Sequence, residues 1–182
     1  MKIVRLVSMA AALLVASACG DSRGVFQPTT PSFGGDRSPE PSTSAAQPTQ
    51  TSGHFDAIVD FSTVTLTSKG GNCLLQISGR LVFSGTIEGT ATGRTSALEF
   101  APCEQVAVNP PGTFEDVFKS IAVFDGTVNG QPAHSNLLYM GRVQVGGAIA
   151  GRFVFSNGVD GVLDVHAIVA VGGDYRGLVV VR

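Results

Sequence analysis

The stretch Phe83-Ser84-Gly85-Thr86-Ile87-Glu88-Gly89 returns later in the chain as Phe124-Asp125-Gly126-Thr127-Val128-Asn129-Gly130. Both copies follow the pattern Phe-x-Gly-Thr-[Ile/Val]-x-Gly, in which large and small residues alternate at every second position. Such an alternation is the signature of a β-strand with one buried face. Glycine weakens a strand interior, so its regular use indicates a sheet that bends or that brings another backbone close. We interpret the repeated stretch as a segment whose glycines let the sheet curve and whose phenylalanine faces inward.

The same alternation continues over most of the chain from His54 to the C-terminus. Gly-rich turns, such as Gly146-Gly147 and Ser156-Asn157-Gly158, divide it into about eight strands. A slip in the alternation near Ser62-Thr63 predicts a β-bulge. Short strands with such turns are typical of a sandwich or a barrel, and glycines within strands favour the barrel. Residues 54–182 are therefore predicted to be all-β, as a single antiparallel eight-stranded barrel.

Two less regular places lie within this region. Ala91 to Arg94 is predicted as a turn. The segment Thr95 to Val108 is predicted as a strand that Pro102 interrupts, which places it at a sheet edge or a bulge. No convincing helical periodicity follows Ala18, so we expect helices to be minor.

Residues 1–18 have the layout of a secretory signal peptide. Lys2 and Arg5 precede a short apolar run, which ends in small residues before Cys19. The run is shorter than the roughly 20 residues that a membrane-spanning helix needs. The segment Leu14-Val15-Ala16-Ser17-Ala18-Cys19-Gly20 resembles a bacterial lipobox, which implies lipidation of the Cys19 sulfur. Ordinary signal-peptidase cleavage after Ala18 is the alternative.

This resemblance predicts an exported protein that is lipid-anchored to the bacterial cell membrane or outer membrane. Residues 19–53 are rich in Pro, Ser, Thr and Gln and poor in apolar side chains, so they are predicted to be a disordered linker. A flexible linker of this length holds a domain on the order of 30 Å from its anchor. A wall-binding or glycosylated stalk is the alternative for this segment.

The remaining cysteines, Cys73 and Cys103, form a natural pair if Cys19 is lipidated. In an oxidising compartment two such cysteines usually bond to each other. The disulfide would close a loop of about 30 residues and stabilise the fold by roughly 3–4 kcal/mol. Two buried free thiols are the alternative.

Charge and motifs exclude several functional classes. The formal net charge is −2 and no basic cluster is present, which argues against nucleic-acid binding. The histidines, His54, His134 and His166, lack metal-site spacing, and no nucleophile motif or phosphate loop occurs. We therefore assign no catalytic residue, metal or cofactor.

Asp164 and His166 share one face of a predicted strand. They form either an acid/base pair inside a cavity or part of a polar outer face. The outer face is the favoured interpretation, because the strand's apolar residues occupy the opposite parity.

The two Phe-x-Gly-Thr-[Ile/Val]-x-Gly segments and the strand Gly151-Arg152-Phe153-Val154-Phe155 resemble an uncharacterised bacterial family built on the allene-oxide-cyclase-like barrel. Plant allene oxide cyclases and dirigent proteins share that architecture. The resemblance extends roughly from Phe55 to the C-terminus and implies the barrel fold. The chain contains no cyclase catalytic motif, so no catalytic residue is transferred.

The predicted barrel interior is almost entirely apolar. Tyr139 and Tyr175 are the inward groups able to orient a ligand by hydrogen bonding, and Phe118 and Phe153 would offer apolar surface beside them. An eight-stranded barrel is either filled by its own side chains or holds one small ligand. The leading hypothesis is a lipoprotein that presents a binding or interaction module, for which a small hydrophobic molecule is the candidate ligand. One alternative is a structural or assembly lipoprotein with a packed barrel, which acts through its outer surface or a homo-oligomer interface. The other alternative is an isomerase like the plant allene oxide cyclases.

Overall fold

The computed structural model describes residues 47–182. One short helix, α1 (Cys103–Val106), accompanies eight strands: β1 (Thr49–Lys69), β2 (Asn72–Gly85), β3 (Ile87–Glu99), β4 (Asp116–Val128), β5 (Gln131–Val143), β6 (Ala148–Ser156), β7 (Val159–Ile168) and β8 (Gly172–Val181). The signal peptide, Cys19 and the linker up to residue 46 lie outside the described residues. Within residues 47–182 we find no helix with the length and apolar character needed to cross a membrane.

The eight strands form one closed antiparallel barrel. Each strand pairs with the next along the chain, and β8 pairs with β1 to complete the circle. The predicted all-β, eight-stranded barrel is therefore confirmed. Closure removes the free sheet edges that would otherwise expose unpaired backbone groups.

The two ends of the barrel differ in what fills them. We call the end with the β2–β3, β4–β5 and β6–β7 turns the closed half. There the phenylalanine rings pack edge to face, with the centroids of Phe83 and Phe124 5.7 Å apart and those of Phe124 and Phe155 5.6 Å apart. The opposite end, with the β1–β2, β3–β4, β5–β6 and β7–β8 connections, is the open half.

The repeated stretch explains how β3 and β4 meet in the closed half. Ile87–Gly89 of the first copy pairs with Gly126–Val128 of the second, so that the two copies face each other. A Cβ on Gly126 would lie 2.1 Å from the Glu88 carbonyl oxygen, and one on Gly89 would lie 2.6 Å from the Gly126 Cα. These glycines therefore permit a close backbone approach. Phe83 and Phe124 point inward and are buried, as predicted.

Three sequence expectations about strand boundaries are wrong. The first strand begins at Thr49 rather than His54, because residues 49–53 pair with β8 despite their linker-like composition. The segment Ala91 to Arg94 is not a turn, since it pairs continuously with β2 and β4 inside β3. The chain turns earlier, at Gly85-Thr86. The proposed strand from Thr95 to Val108 instead contains the end of β3, Pro102 and α1.

Two other sequence expectations are confirmed. The pairing register between β1 and β2 shifts between Asp60 and Thr65, which is the bulge predicted near Ser62-Thr63. Cys73, the second residue of β2, forms a disulfide with Cys103, the first residue of α1. The bond therefore ties the β3–β4 connection to the barrel wall rather than joining two strands.

Candidate functional site

A cavity of about 420 Å³ occupies the open half of the barrel. It exists because the inward positions change from large to small residues along several strands. On β1 the inward Phe55 is followed by Ala57, and on β4 the inward Phe124 is preceded by Ala122. On β3 the inward residues in this region are small: Ala91, Gly93, Thr95 and Ala97. Most of the remaining lining is aliphatic or aromatic, including Val59, Leu66, Leu75, Ile77, Leu81, Phe118, Leu137, Val143 and Ile149.

The β3–β4 connection, residues 100–115, borders the cavity at the open end, and we call it the roof segment. Val106, Ala107 and residues 109–114 contribute to the cavity lining. The roof segment is held at one side by the Cys73–Cys103 disulfide. At the other side the Gly146 N–H donates to the Gly112 carbonyl oxygen at 2.9 Å, which joins it to the β5–β6 turn.

Two carboxylic acids face each other where the roof segment meets the barrel. Glu99 ends β3 and Asp116 begins β4, and the two are register partners in the antiparallel ladder. Both line the cavity, and their exposed fractions are only 8% and 3%. No Lys, Arg or His within residues 47–182 lies at ion-pair distance from either group.

Burial shifts the acid strength of this pair. Desolvation raises the pKa of Asp116 from 3.8 to about 7, and the neighbouring Glu99 charge contributes in the same direction. Desolvation also raises the pKa of Glu99. The charged forms are disfavoured because apolar surroundings replace water, and like charges repel at close range. The Asp116 Oδ1 atom is buried without a hydrogen-bond partner.

Tyr139 and Phe118 lie side by side in the cavity wall. Their ring centroids are 4.7 Å apart in an edge-to-face arrangement. The Tyr139 hydroxyl is buried without a hydrogen-bond partner, and desolvation raises its pKa. By contrast, the neighbouring hydroxyls of Thr95 and Ser120 satisfy each other at 2.6 Å. Among the buried side-chain atoms of residues 47–182 that lack a hydrogen-bond partner, the Tyr139 hydroxyl and the Asp116 Oδ1 atom belong to residues of the cavity lining.

The other two predicted ligand residues, Phe153 and Tyr175, lie outside the cavity lining. Phe153 is fully buried, and its ring packs against Tyr139 with centroids 4.6 Å apart. The Tyr175 hydroxyl accepts a hydrogen bond from the Ile87 N–H at 3.0 Å and lies 3.0 Å from the Ser84 carbonyl oxygen. Tyr175 therefore closes the β2–β3 turn from inside. The structure brings Phe118 and Tyr139 together at the cavity and leaves Phe153 and Tyr175 beneath it.

Asp164 and His166 lie on the outer face of β7, as the favoured interpretation of that strand predicted. Asp164 forms an ion pair with Arg152 on the neighbouring β6 at 3.3 Å. Within the described part of the chain, no cluster of three or more His, Cys, Asp or Glu side chains is arranged to hold a metal ion.

Sequence reasoning missed Glu99 and Asp116, although a signal for both is present. Asp116 has the same parity as Phe118, two residues later on an inward face, and Glu99 has the parity of Ala97. The sequence predicts a turn at Ala91 to Arg94 and an irregular strand from Thr95 to Val108, and neither prediction gives Glu99 an inward position. Their pairing with each other could not be read from either segment alone.

No family model matches this chain, and no curated protein matches it either. Among solved structures, the chain is similar to the crystal structure of a protein of unknown function from the DUF3224 family of Shewanella oneidensis MR-1. The sequence identity is 16% and the TM-score is 0.49, with 75% of this chain and 98% of that chain covered.

Proposed function

We propose that this chain is a cell-envelope lipoprotein whose barrel binds one small hydrophobic molecule in the open-half cavity. The observation that carries the proposal is the cavity itself, of about 420 Å³ with a largely apolar lining. Ligand sites of roughly 300–1,000 Å³ combine such a lining with a few placed polar groups. Tyr139 and Asp116 supply those groups, and Phe118 supplies aromatic surface.

The contrast between the two halves of the barrel supports binding over a purely structural role. In the closed half the inward side chains reach full burial against one another, as Phe124, Phe155 and Val159 do. A barrel needed only as a scaffold would gain stability by filling the other half as well, because unfilled core volume forfeits packing energy. Small inward residues there preserve the space instead.

The lipoprotein part of the proposal rests on the lipobox-like segment that ends in Cys19-Gly20. The disulfide between Cys73 and Cys103 supports export, since such bonds persist in oxidising compartments. The partner implied by Cys19 is the membrane that receives its acyl chains, whether cell membrane or outer membrane.

Ligand binding is tested by filling the cavity. Ala97 lies on the inner wall between Leu75 and Phe118, so Ala97→Leu places extra carbon atoms in the ligand space. We expect the neutral probe N-phenyl-1-naphthylamine to bind the purified full-length protein with one saturable site. Ala97→Leu should weaken this binding at least about tenfold, because the larger side chain occupies the space that the ring system needs.

The matched control is Ala150→Leu, since Ala150 is exposed on the outer face of β6. This variant should bind the probe as the unaltered protein does. Equal affinity for all three proteins, or fluorescence that rises without saturation, contradicts the cavity as the binding site. Native mass spectrometry of the purified protein should show a co-purified small molecule that Ala97→Leu excludes.

An isomerase acting in the same cavity is the second candidate, as the resemblance to the allene-oxide-cyclase-like barrel implies. The observation that favours it is the buried acid pair, because a carboxyl with a pKa of about 7 suits proton transfer at neutral pH. A binding protein returns its ligand unchanged, whereas an isomerase returns a molecule of equal mass with a different structure.

A structural role with a homo-oligomer interface is the third candidate. The outer face of β4 exposes Val117, Ile121 and Val123, and Met140 on β5 is exposed beside them. Apolar surface of this kind is common at protein–protein contacts.

A further inference from the structure

The two carboxylic acids of the cavity lie close together without a positively charged partner among the described residues. Glu99 and Asp116 are cross-strand partners, so their side chains leave neighbouring backbones on the same face of the sheet. Both are buried at the cavity wall, and within the described residues no basic side chain is paired with them. Two buried carboxyls without a cation are costly, because each loses hydration and neither gains an opposite charge.

A second observation points independently to a ligand with hydrogen-bond donors. The Tyr139 side chain lines the same cavity with an exposed fraction of 6%, and its hydroxyl has no partner. Buried hydroxyls are nearly always hydrogen-bonded in proteins. The Asp116 Oδ1 atom is unpartnered too, and a carboxylate oxygen only accepts. A ligand that carries hydrogen-bond donors would satisfy these atoms.

The rest of the cavity argues against two other ligands for the acid pair, a calcium ion and a fatty acid. Calcium takes 6–8 oxygen ligands, and within the described residues no group of three or more His, Cys, Asp or Glu side chains is placed to hold a metal ion. A fatty acid would bring a third carboxylate next to Glu99 and Asp116. The aromatic rings of Phe118 and Tyr139 and the aliphatic walls instead suit an organic body, and aromatic faces also attract cations.

Resting on the proposed function, we propose that the molecule held in this cavity is an apolar primary amine whose protonated nitrogen binds between Glu99 and Asp116. The Tyr139 hydroxyl then accepts a further N–H. The alkyl or aryl body lies along the inner wall beside Phe118. The raised pKa values of both carboxyls in the absence of ligand agree with this arrangement, since an unpaired acid pair retains protons that a cation would displace.

Arg80 suggests a competing kind of ligand, one with an anionic head group. It is the basic residue that borders the cavity, where it is exposed on the outer side of β2 beside Ile58. An anionic head group at Arg80 would reverse the expected ligand preference, so the experiment includes an anion of the same chain length.

The experiment compares n-octylamine, n-octanol and n-octanoate at pH 8 with the purified full-length protein. Displacement of N-phenyl-1-naphthylamine and calorimetry report the affinities. We expect the amine to bind at least about tenfold more tightly than the alcohol, because hydrogen bonds to charged groups exceed neutral ones. The octanoate should bind more weakly than both.

Variants test whether the preference for the amine over octanol comes from Glu99 and Asp116. Asp116→Asn and Glu99→Gln should each narrow the difference between the amine affinity and the octanol affinity, both measured on the same variant. Tyr139→Phe should lower the amine affinity by a smaller factor. The control is Glu88→Gln, which removes an exposed acid from the outer face of the same β3 strand and should keep the preference.

The outcomes separate this inference from the proposed function. If octanol binds as tightly as octylamine, or octanoate binds most tightly, the amine assignment is overturned and the hydrophobic cavity stands. An amine preference that survives in both Asp116→Asn and Glu99→Gln also overturns it. If neither the naphthylamine probe nor any octyl compound binds, the proposed function fails together with the inference.

Discussion

At the scale of single residues, Asp116 is the group whose chemistry the fold changes most. Its pKa is about 7 in the barrel against an ordinary value of 3.8, chiefly because burial removes its hydration. The folded state therefore binds this proton more tightly than the unfolded state does. Linkage then requires that stability is greatest below the unfolded pKa and falls as pH rises towards the folded pKa.

We expect the free energy of unfolding to fall between about pH 4 and pH 7 by at most about 4 kcal/mol, since one pKa unit corresponds to 1.36 kcal/mol. Glu99 should add to the fall, because its pKa is also raised. Urea unfolding across this pH range measures the slope.

Asp116→Asn should remove most of this pH dependence, because the amide does not ionise. The control is Asp125→Asn, on the exposed outer face of the same β4 strand, which should preserve the slope. An unchanged slope in Asp116→Asn would show that other groups set the pH dependence.

At the scale of elements, the roof segment depends on few attachments. It joins β3 to β4 over residues 100–115, and α1 is its only helix. Its contacts with the barrel include the Cys73–Cys103 disulfide and the hydrogen bond from Gly146 to Gly112. The disulfide lies next to the acid pair, since Cys73 is the register partner of Glu99.

Replacing both cysteines, as Cys73→Ser with Cys103→Ser, should lower the free energy of unfolding by roughly 3–4 kcal/mol, because a 30-residue loop is no longer closed. Hydrogen exchange should accelerate first in the roof segment, while β6 and β7 stay protected. Reduction of the unaltered protein should reproduce the pattern. Uniform acceleration across the barrel would contradict a local role for the bond.

At the scale of the whole molecule, the two halves of one barrel differ in how they are packed. The closed half holds the large rings and the Tyr175 hydrogen bonds that stabilise the fold. The open half contains a cavity of about 420 Å³ that its side chains leave unfilled. We propose that a lipid anchor at Cys19 keeps this barrel at the membrane where apolar molecules concentrate.

Lipidation is tested by expressing the full-length chain in a bacterial host with an alkyne-labelled palmitate. We expect label in the protein and recovery in the membrane fraction, because several acyl chains anchor firmly at about 0.8 kcal/mol per buried methylene. Cys19→Ser should lose the label, and the control Cys103→Ser should keep it. Unlabelled protein with Cys19 as its first residue would indicate ordinary cleavage after Ala18.

Much of the fold was predictable because strand alternation is a local property of the chain. Alternation along the strands predicts the inward positions of Phe83 and Phe124, and a break in that alternation predicts the bulge near Ser62-Thr63. The number of cysteines predicts the pairing of Cys73 with Cys103. The errors arose where local composition misleads. Residues 49–53 have the composition of a linker, yet they form a strand because they pair with β8. The segment around Gly93 has the composition of a turn, yet it pairs within β3.

The sequence by itself determined that this chain forms a barrel of strands with alternating inward and outward side chains and with phenylalanine inside. Only the tertiary structure decided that Glu99 meets Asp116, that Phe118 and Tyr139 share a cavity, and that Tyr175 closes the opposite end. The physical reason is that alternation within a single strand decides whether a side chain faces inward or outward. Which side chains meet inside the barrel depends instead on the register and closure of all eight strands.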